Sequence, residues 1–548
     1  MKKSSRILAV VLSLMMVFSC AVPGFASYDP KNAGSVTDKA HSATSFEKSF
    51  WNATDKLMDV IVKSICAFIP DQKTWGKNAD DYSSDGFMPG DDEFLSEPAD
   101  GARWSLGYSE ASILEGQDVL DGNHYVGGTL TLNKKVATEV YDDLKVRTVA
   151  LNDNSGRGSA VFAVIDGFGI SNTDVRAIRQ ELESFSKENN VKSINISVLH
   201  QHSAVDTLGL NGNVLEEVVK NPWKNLFGKN SVSGRNDEYM RNLYDKTEQT
   251  IKEAVTGEKN GKLYYGKIDM SEFMTDKRDP QVLDNYFERF RFVPSDGSKE
   301  TWFTTSCVHL VGNGAAGTVI TGDYAYYMEQ AVNEKYNANF ALVLGAEQAT
   351  TQDKSTLDTE NLSRLESVKV YGEALADRLN AISNEKELSP VLNIRSEQIK
   401  FNISNCILLF AGKEGLINHQ IVKTGFNKYQ EVSELGYMEL GDDVAVFLAP
   451  GETTGETYYG GACPASKSWS GKDWNYAPLE TKVEGGRDVI VFGLENDMVG
   501  YIIPDNDYMP ILYPNNKSLE VVSLGKTACS EMVKGYEQLL KNAYASKK

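Results

Sequence analysis

Histidine and cysteine are both scarce in this chain, with six of each in 548 residues. The cysteines, Cys20, Cys66, Cys307, Cys406, Cys463 and Cys529, lie far apart and never form a CxxC pair. That excludes a disulfide-stapled scaffold and a thiolate zinc cluster. One or two disulfides stay open. With Cys20 set aside in a leader, the odd number left means at least one thiol has no partner within the chain. Positive charge is also short: 56 basic residues face 76 acidic ones, for a net charge of -20. Nucleic-acid binding needs a basic face, so nucleic acid is excluded as a partner. An acidic chain gains no attraction to anionic membrane surfaces either. After the first residues no run is long and apolar enough to span a bilayer, so the mature chain has no spanning segment.

The first 26 residues read as a secretory signal peptide. Lys2, Lys3 and Arg6 form a positive head, residues 7–18 an apolar run, and Gly24-Phe25-Ala26 a small-residue cleavage site. A secreted protein follows, and Cys20 leaves a lipid anchor as the alternative. Residues 27–100 read as an N-terminal extension. A helix is predicted over 46–69, with Leu57, Ile61, Val62, Ile65 and Phe68 on its apolar face, followed by an acidic, solvated loop over 78–100. Residues 101–548 form the catalytic body. A mature chain of ~520 residues can bury a large core. The 45 glycines suit a loop-rich enzyme.

Within that body, strands are predicted at 143–152, 159–165 and 191–199, with a hairpin turn at Gly156 to Gly158 and a helix over 172–189. Strand, helix, strand in this order gives an α/β fold of layered mixed sheets with flanking helices. Further strands fall at 287–293, 298–305, 340–344, 445–449 and 488–492. Further helices fall at 236–255, 322–335, 359–388 and 525–542. Several strands end in residues capable of chemistry: Asp166, His200 and His202, His309, Glu452 and Asn496. A metal site at strand ends is the expectation. The glycine-rich turn over 312–317 lacks the lysine of a phosphate loop, so it is no phosphate site.

The pair His200 and His202 stands out in a histidine-poor chain. Ile194, Ile196 and Val198 alternate with Asn195 and Ser197, so a strand runs straight into L-H-Q-H-S. A period of two places both imidazoles on one face. Both could ligate one metal, the second could act as a base beside it, or the two could be surface or structural histidines. Of the other histidines, His41 reads as exposed, His419 as structural between Ile417 and Ile421, and His124 as a candidate pocket residue.

Taken in order, the motifs resemble the neutral/alkaline, non-lysosomal ceramidase family. They are Gly107-Tyr108, D-L-K-V-R-T-V-A-L, V-I-D-G ending at Gly167, H-Q-H-S, His309, Gly322-Asp323-Tyr324, Pro450-Gly451-Glu452, G-L-E-N-D-M-V-G-Y and Ser523-Leu524-Gly525. The resemblance implies a zinc amidohydrolase. His200, His309 and Glu452 would be zinc ligands, with a tyrosine as the fourth. His202 would be the catalytic group beside the ion. By its place at a strand end, Asp166 could orient a ligand imidazole or be a helix-capping or turn aspartate. The family carries a tyrosine where this chain has Met498, so the tyrosine role passes to Tyr501, as ligand and catalytic residue. HxH continues as S-A-V-D-T-L-G rather than S-G-P, and the chain ends soon after Ser523-Leu524-Gly525. The expectation is a divergent bacterial member without the C-terminal β-sandwich of longer members. Its substrate would be an N-acylated lipid such as ceramide, or a smaller acyl-amine. A zinc hydrolase of a non-lipid amide or ester, and a non-catalytic secreted surface protein on the same scaffold, are the alternatives. An oxygen-liganded calcium or magnesium site is the alternative metal.

Overall fold

The computed structural model describes residues 43–78, 82–128, 134–213, 232–278, 284–314, 317–346, 350–460, 463–513 and 519–548. The leader, Cys20 and His41 lie outside them, as do parts of the glycine-rich turn. The first helix is α1 (Ser45–Cys66), opened by a capping box between Thr44 and Glu47. It buries Met58, Val62, Ile65 and Cys66, whereas Leu57 and Phe68, expected inward, are exposed. The docking face lies one position round because it meets a partner the sequence does not mark: Cys406, Leu409, Phe410 and Tyr429. The acidic stretch that follows is irregular, as expected. It is not wholly solvated: Asp91 is buried and paired with Lys192 at 2.9 Å.

The body is built on two sheets. The larger contains β1 (Trp104–Ser112), β2 (Lys145–Asn152), β3 (Ser159–Ile165), β4 (Val191–Val198), β5 (Lys259–Asp269), β6 (Tyr286–Pro294), β7 (Glu300–Ser306) and β8 (Ala338–Leu344), with Lys386–Glu387 added beside β5. Their order across the sheet is β8-β7-β6-β5-β1-β2-β3-β4. The β3–β4 and β7–β8 pairs are parallel and the rest antiparallel. Parallel pairing of β3 and β4 puts their C-terminal ends on one edge, as the strand–helix–strand order requires. The intervening helix, α2 (Asn172–Glu181), stops at Leu182, where ψ is 3°, and a separate turn of helix continues over Glu183–Glu188.

Helices α3 (Asp237–Thr256), α4 (Asp323–Tyr336) and α5 (Arg364–Asn380) follow. The last is shorter than the helical region expected over 359–388. A Ser363–Glu366 capping box fixes its start, and the chain beyond it is drawn into edge pairing with Tyr264 and Tyr265.

The second sheet holds β9 (Leu392–Asn402), β10 (Ile421–Gly425), β11 (Lys428–Leu440), β12 (Val444–Leu448) and β14 (Asp488–Phe492), with α6 (Cys406–Lys413) between β9 and β10. Its side chains alternate between two cores. Val444, Val446 and Leu448 join the core shared with the first sheet, while Ala445 and Phe447 face helix α7 (Ala528–Ala545). Between the sheets Phe162, Phe303 and Phe492 meet with ring centroids 5.4 to 5.9 Å apart. On the outer face of the first sheet α3 packs against β1, where Gly107 lets the Ala254 carbonyl approach closer than any Cβ would allow. Two short strands, β13 (Glu452–Thr453) and β15 (Tyr501–Ile502), pair in parallel beyond the second sheet. The five described cysteines are all buried, and no disulfide joins any two of them. No helix among the described residues is long and apolar enough to cross a membrane.

Candidate metal centre

His200, His202, His309, Glu452 and Tyr501 come together, although up to 301 positions separate them in sequence. Each sits just past a strand of the two-sheet body or in the small β13–β15 pair. His200 follows β4, but not as a continuation of it. The strand ends at Val198, and His200 takes a left-handed backbone with φ 49°. Strand alternation therefore does not align the two rings. The turn does: the rings stand perpendicular with centroids 4.7 Å apart, and their Nε2 atoms are 3.1 Å apart. The turn is pinned by the N–H of Gln201 to the Gly167 carbonyl at 3.0 Å and by the N–H of His202 to the Leu310 carbonyl at 3.1 Å.

Backbone carbonyls orient the two buried imidazoles. His200 Nδ1 donates to the Phe168 carbonyl at 2.8 Å, and His309 Nδ1 to the Thr350 carbonyl at 3.1 Å. A carbonyl can only accept, so Nδ1 carries a proton in both rings and Nε2 is the atom each ring turns to the centre. Both Nε2 atoms point at Glu452, whose Oε2 is 2.8 Å from His309 and 3.5 Å from His200. The Tyr501 hydroxyl is 3.2 Å from His309 Nε2 and also hydrogen-bonds the Glu452 carboxylate. Register delivers this pair: Glu452 stands opposite Tyr501 across the β13–β15 ladder. One ligand atom from each of His200, His202 and His309 lies within 4.8 Å of the others, close enough to hold a metal ion.

His200, His309 and Glu452 are buried, while His202 and Tyr501 are partly exposed. The centre is thus open on the side of those two. Burial, with repulsion from His309, holds the His200 imidazole below its ordinary pKa against the pull of Glu452. His202 is held well below by burial and by the neighbouring His200, His309, Lys135 and Lys277. Burial alone would raise Glu452, but the attraction of His200 and the contacts of His309 and Tyr501 outweigh it and keep the carboxylate ionised. Two imidazole Nε2 atoms and one carboxylate are donors that suit a divalent ion.

Other sequence candidates fall elsewhere. Asp166 does not touch a centre histidine. It accepts from Arg147 at 2.8 Å, the Lys145 N–H at 2.8 Å and Gln201 Nε2 at 3.2 Å, so it steadies the residue between the two histidines. Its buried arginine wins it, and carbonyls take the orienting role. His124 bonds Asp121 at 2.9 Å and packs on Tyr239 instead of joining the centre. Met498 is buried, and its sulfur faces Gly169. Sequence reasoning did not mark the Phe168 and Thr350 carbonyls, which carry no side-chain signature. It also missed Gly128, whose φ of 109° lets the backbone pass over His202 where a Cβ would stand 3.0 Å away. The glycine pair in V-G-G was its only trace.

The architecture is that of a metal-capable α/β fold shared with neutral ceramidases. The chain superimposes on the crystal structure of neutral ceramidase from Pseudomonas aeruginosa with a TM-score of 0.58 and 13% identity, covering 80% of this chain and 75% of that one. A structure described as ceramidase complexed with C2 gives a TM-score of 0.57 and 12% identity over 80% of this chain and 74% of that one. At such identity the likeness is one of fold. No family model and no curated protein sequence matches the chain.

Proposed function

We propose that the protein is a zinc-dependent hydrolase that cleaves the amide bond of an N-acylated lipid such as ceramide. One observation carries this reading. On the fold of a neutral ceramidase, two buried imidazoles, a buried carboxylate and a phenol converge beside a third, partly exposed imidazole. The donor set suits zinc: Nε2 of His200 and His309, Oε2 of Glu452 and Oη of Tyr501 give two nitrogens and two oxygens, and the side towards His202 is left for water and substrate. Bound there, zinc would supply Lewis acidity to the scissile carbonyl and acidify the attacking water.

The remaining steps belong to the chain. His202 is neutral at physiological pH, so its imidazole takes the proton of the attacking water and returns it to the leaving amine. The Phe168 and Thr350 carbonyls hold the ligand rings in one tautomer throughout. Tyr501, on the open side, would hold the ion through its hydroxyl next to the place the scissile carbonyl takes. The leader-like first 26 residues support a secreted location.

A panel of fluorogenic N-acyl lipids, short acyl-amines and esters, assayed with and without chelator, tests the reading. Turnover of N-acyl lipids that disappears with the zinc and returns on adding it back is expected. Chelator-insensitive turnover defeats the zinc assignment, and turnover of only the soluble amides or esters defeats the lipid assignment. Zinc-loaded protein inert on the whole panel is a non-catalytic scaffold.

A further inference from the structure

Outside this centre, a second group of metal-capable side chains joins His419, in the connection from α6 to β10, Glu431 on β11, and Asp497 between β14 and β15. One ligand atom of each lies within 4.8 Å of the others. His419 Nε2 is 3.5 Å from Asp497 Oδ1 and 3.9 Å from Glu431 Oε1, and it donates to the Met498 carbonyl oxygen at 3.1 Å, a proton that a bound ion would displace. The two carboxylate separations are too long for direct hydrogen bonds. They are close to those of donors that share an ion, since two ligands each ~2.1 Å from a tetrahedral centre stand ~3.4 Å apart. Glu431 is 2% exposed and Asp497 0%, and the His419 side chain is 6% exposed. Glu431 Oε1 and His419 Nδ1 have no hydrogen-bond partner among the described residues. Asp497 Oδ1 is aimed by the N–H groups of Asn172 and Met498, both at 2.9 Å. Two buried carboxylates thus face one imidazole, a surplus of negative charge in a place that disfavours it.

We propose that His419, Glu431 and Asp497, with the Met498 carbonyl, form a second divalent-cation site that is structural. The imidazole suits zinc and the two carboxylates and the carbonyl suit zinc or manganese. Its place in the fold states its use. Asp497 lies four residues before Tyr501, and Met498 packs on Gly169, next to the Phe168 whose carbonyl orients His200. An ion here braces the supports of two residues of the first centre from behind. The inference uses none of that centre's ligands.

The test is an ion count on the full chain, loaded with zinc or manganese and dialysed, for the parent and for H200A, E431Q and H419A, with near-UV circular dichroism reporting the fold. H200A is expected to keep one ion per chain. E431Q and H419A are each expected to hold one fewer than the parent. Chelator is expected to lower the thermal midpoint of H200A, but not of H200A carrying E431Q. A folded E431Q with the parental ion count overturns the proposal, as does a folded H200A that binds none. Where neither E431Q nor H419A folds, anomalous scattering from manganese-soaked parental crystals decides: a peak among the three side chains supports the site and its absence overturns it. A parent with an ion at His419 and none at His200 would defeat the proposed zinc centre and leave this site standing.

Discussion

At His200 the backbone turns left-handed, a conformation that costs a non-glycine residue ~1–2 kcal/mol. The turn points both imidazoles of H-Q-H at one place, which a straight strand would do only loosely. The roles of the two rings then follow from their surroundings. His200 is buried and its Nδ1 is tied to Phe168; His202 is partly exposed and its Nδ1 has no hydrogen-bond partner among the described residues. Replacing His200 with alanine is expected to remove zinc and activity together. H202A is expected to keep near-full zinc while the turnover rate falls ~10²- to 10⁴-fold, the usual worth of a positioned proton-transfer group. Zinc stoichiometry and kcat on both variants check this. Equal loss of metal from the two would make His202 a ligand. The side chains of the centre were legible because histidine is so rare that three of six at strand ends stand out. What orients them was not, because a carbonyl belongs to every residue.

Among the elements, the parallel β13–β15 pair has two residues in each strand and sets Glu452 opposite Tyr501. The sequence shows P-G-E and the G-Y that closes the late motif as separate motifs; only the ladder joins them. Gly500 is the joint. Its carbonyl accepts the Glu452 N–H at 3.1 Å, its φ is 79°, and a Cβ there would stand 1.8 Å from the Val522 carbonyl oxygen. Gly500→Ala therefore has to push this segment off 522–523 and carry Glu452 and Tyr501 with it. A displacement of ~1 Å at a reacting centre costs ~10²-fold in rate. A drop of that size in kcat, with faster zinc loss on dialysis and an unchanged circular dichroism spectrum, is expected. Parental kcat and zinc retention would remove Gly500 from its positioning role. The long strand β11 shows the other limit of sequence reading. It buries Glu431, Glu434 and Glu439, which breaks any simple apolar alternation. Glu434 is tolerated because Arg179, 255 residues earlier, meets it at 2.8 Å, a partner no local window contains.

Over the whole molecule, residues 494–497 stitch the two sheets together. The Asn496 N–H bonds the Ile196 carbonyl at 2.8 Å, Asn496 Oδ1 accepts the Ile196 N–H at 2.9 Å, and Glu495 bridges to Ser197. Layered mixed sheets were legible from strand and helix order, but this seam was not, since it depends on two left-handed residues, Leu494 and Asn496. The seam carries a cost. Glu495 is 1% exposed, and burial pushes its carboxyl up to about 8 from 4.5, against the nearby Ser197 side chain and the pull of Arg179. Between those two values the folded protein holds a proton that the unfolded chain releases. Its contribution to stability is therefore intact near pH 4.5, declines as pH rises towards 8, and is constant above. Glu495→Gln keeps the shape of the protonated side chain and has no proton to lose. The stability of the variant relative to the parent is expected to climb across that window, by more than ~1 kcal/mol, since each unit of pKa difference is worth ~1.4 kcal/mol. Urea unfolding of both proteins at pH 5, 6.5, 8 and 9 reads the difference directly. Curves that stay parallel from pH 5 to 9 would mean that Glu495 ionises normally in the fold, with water or a cation reaching the seam.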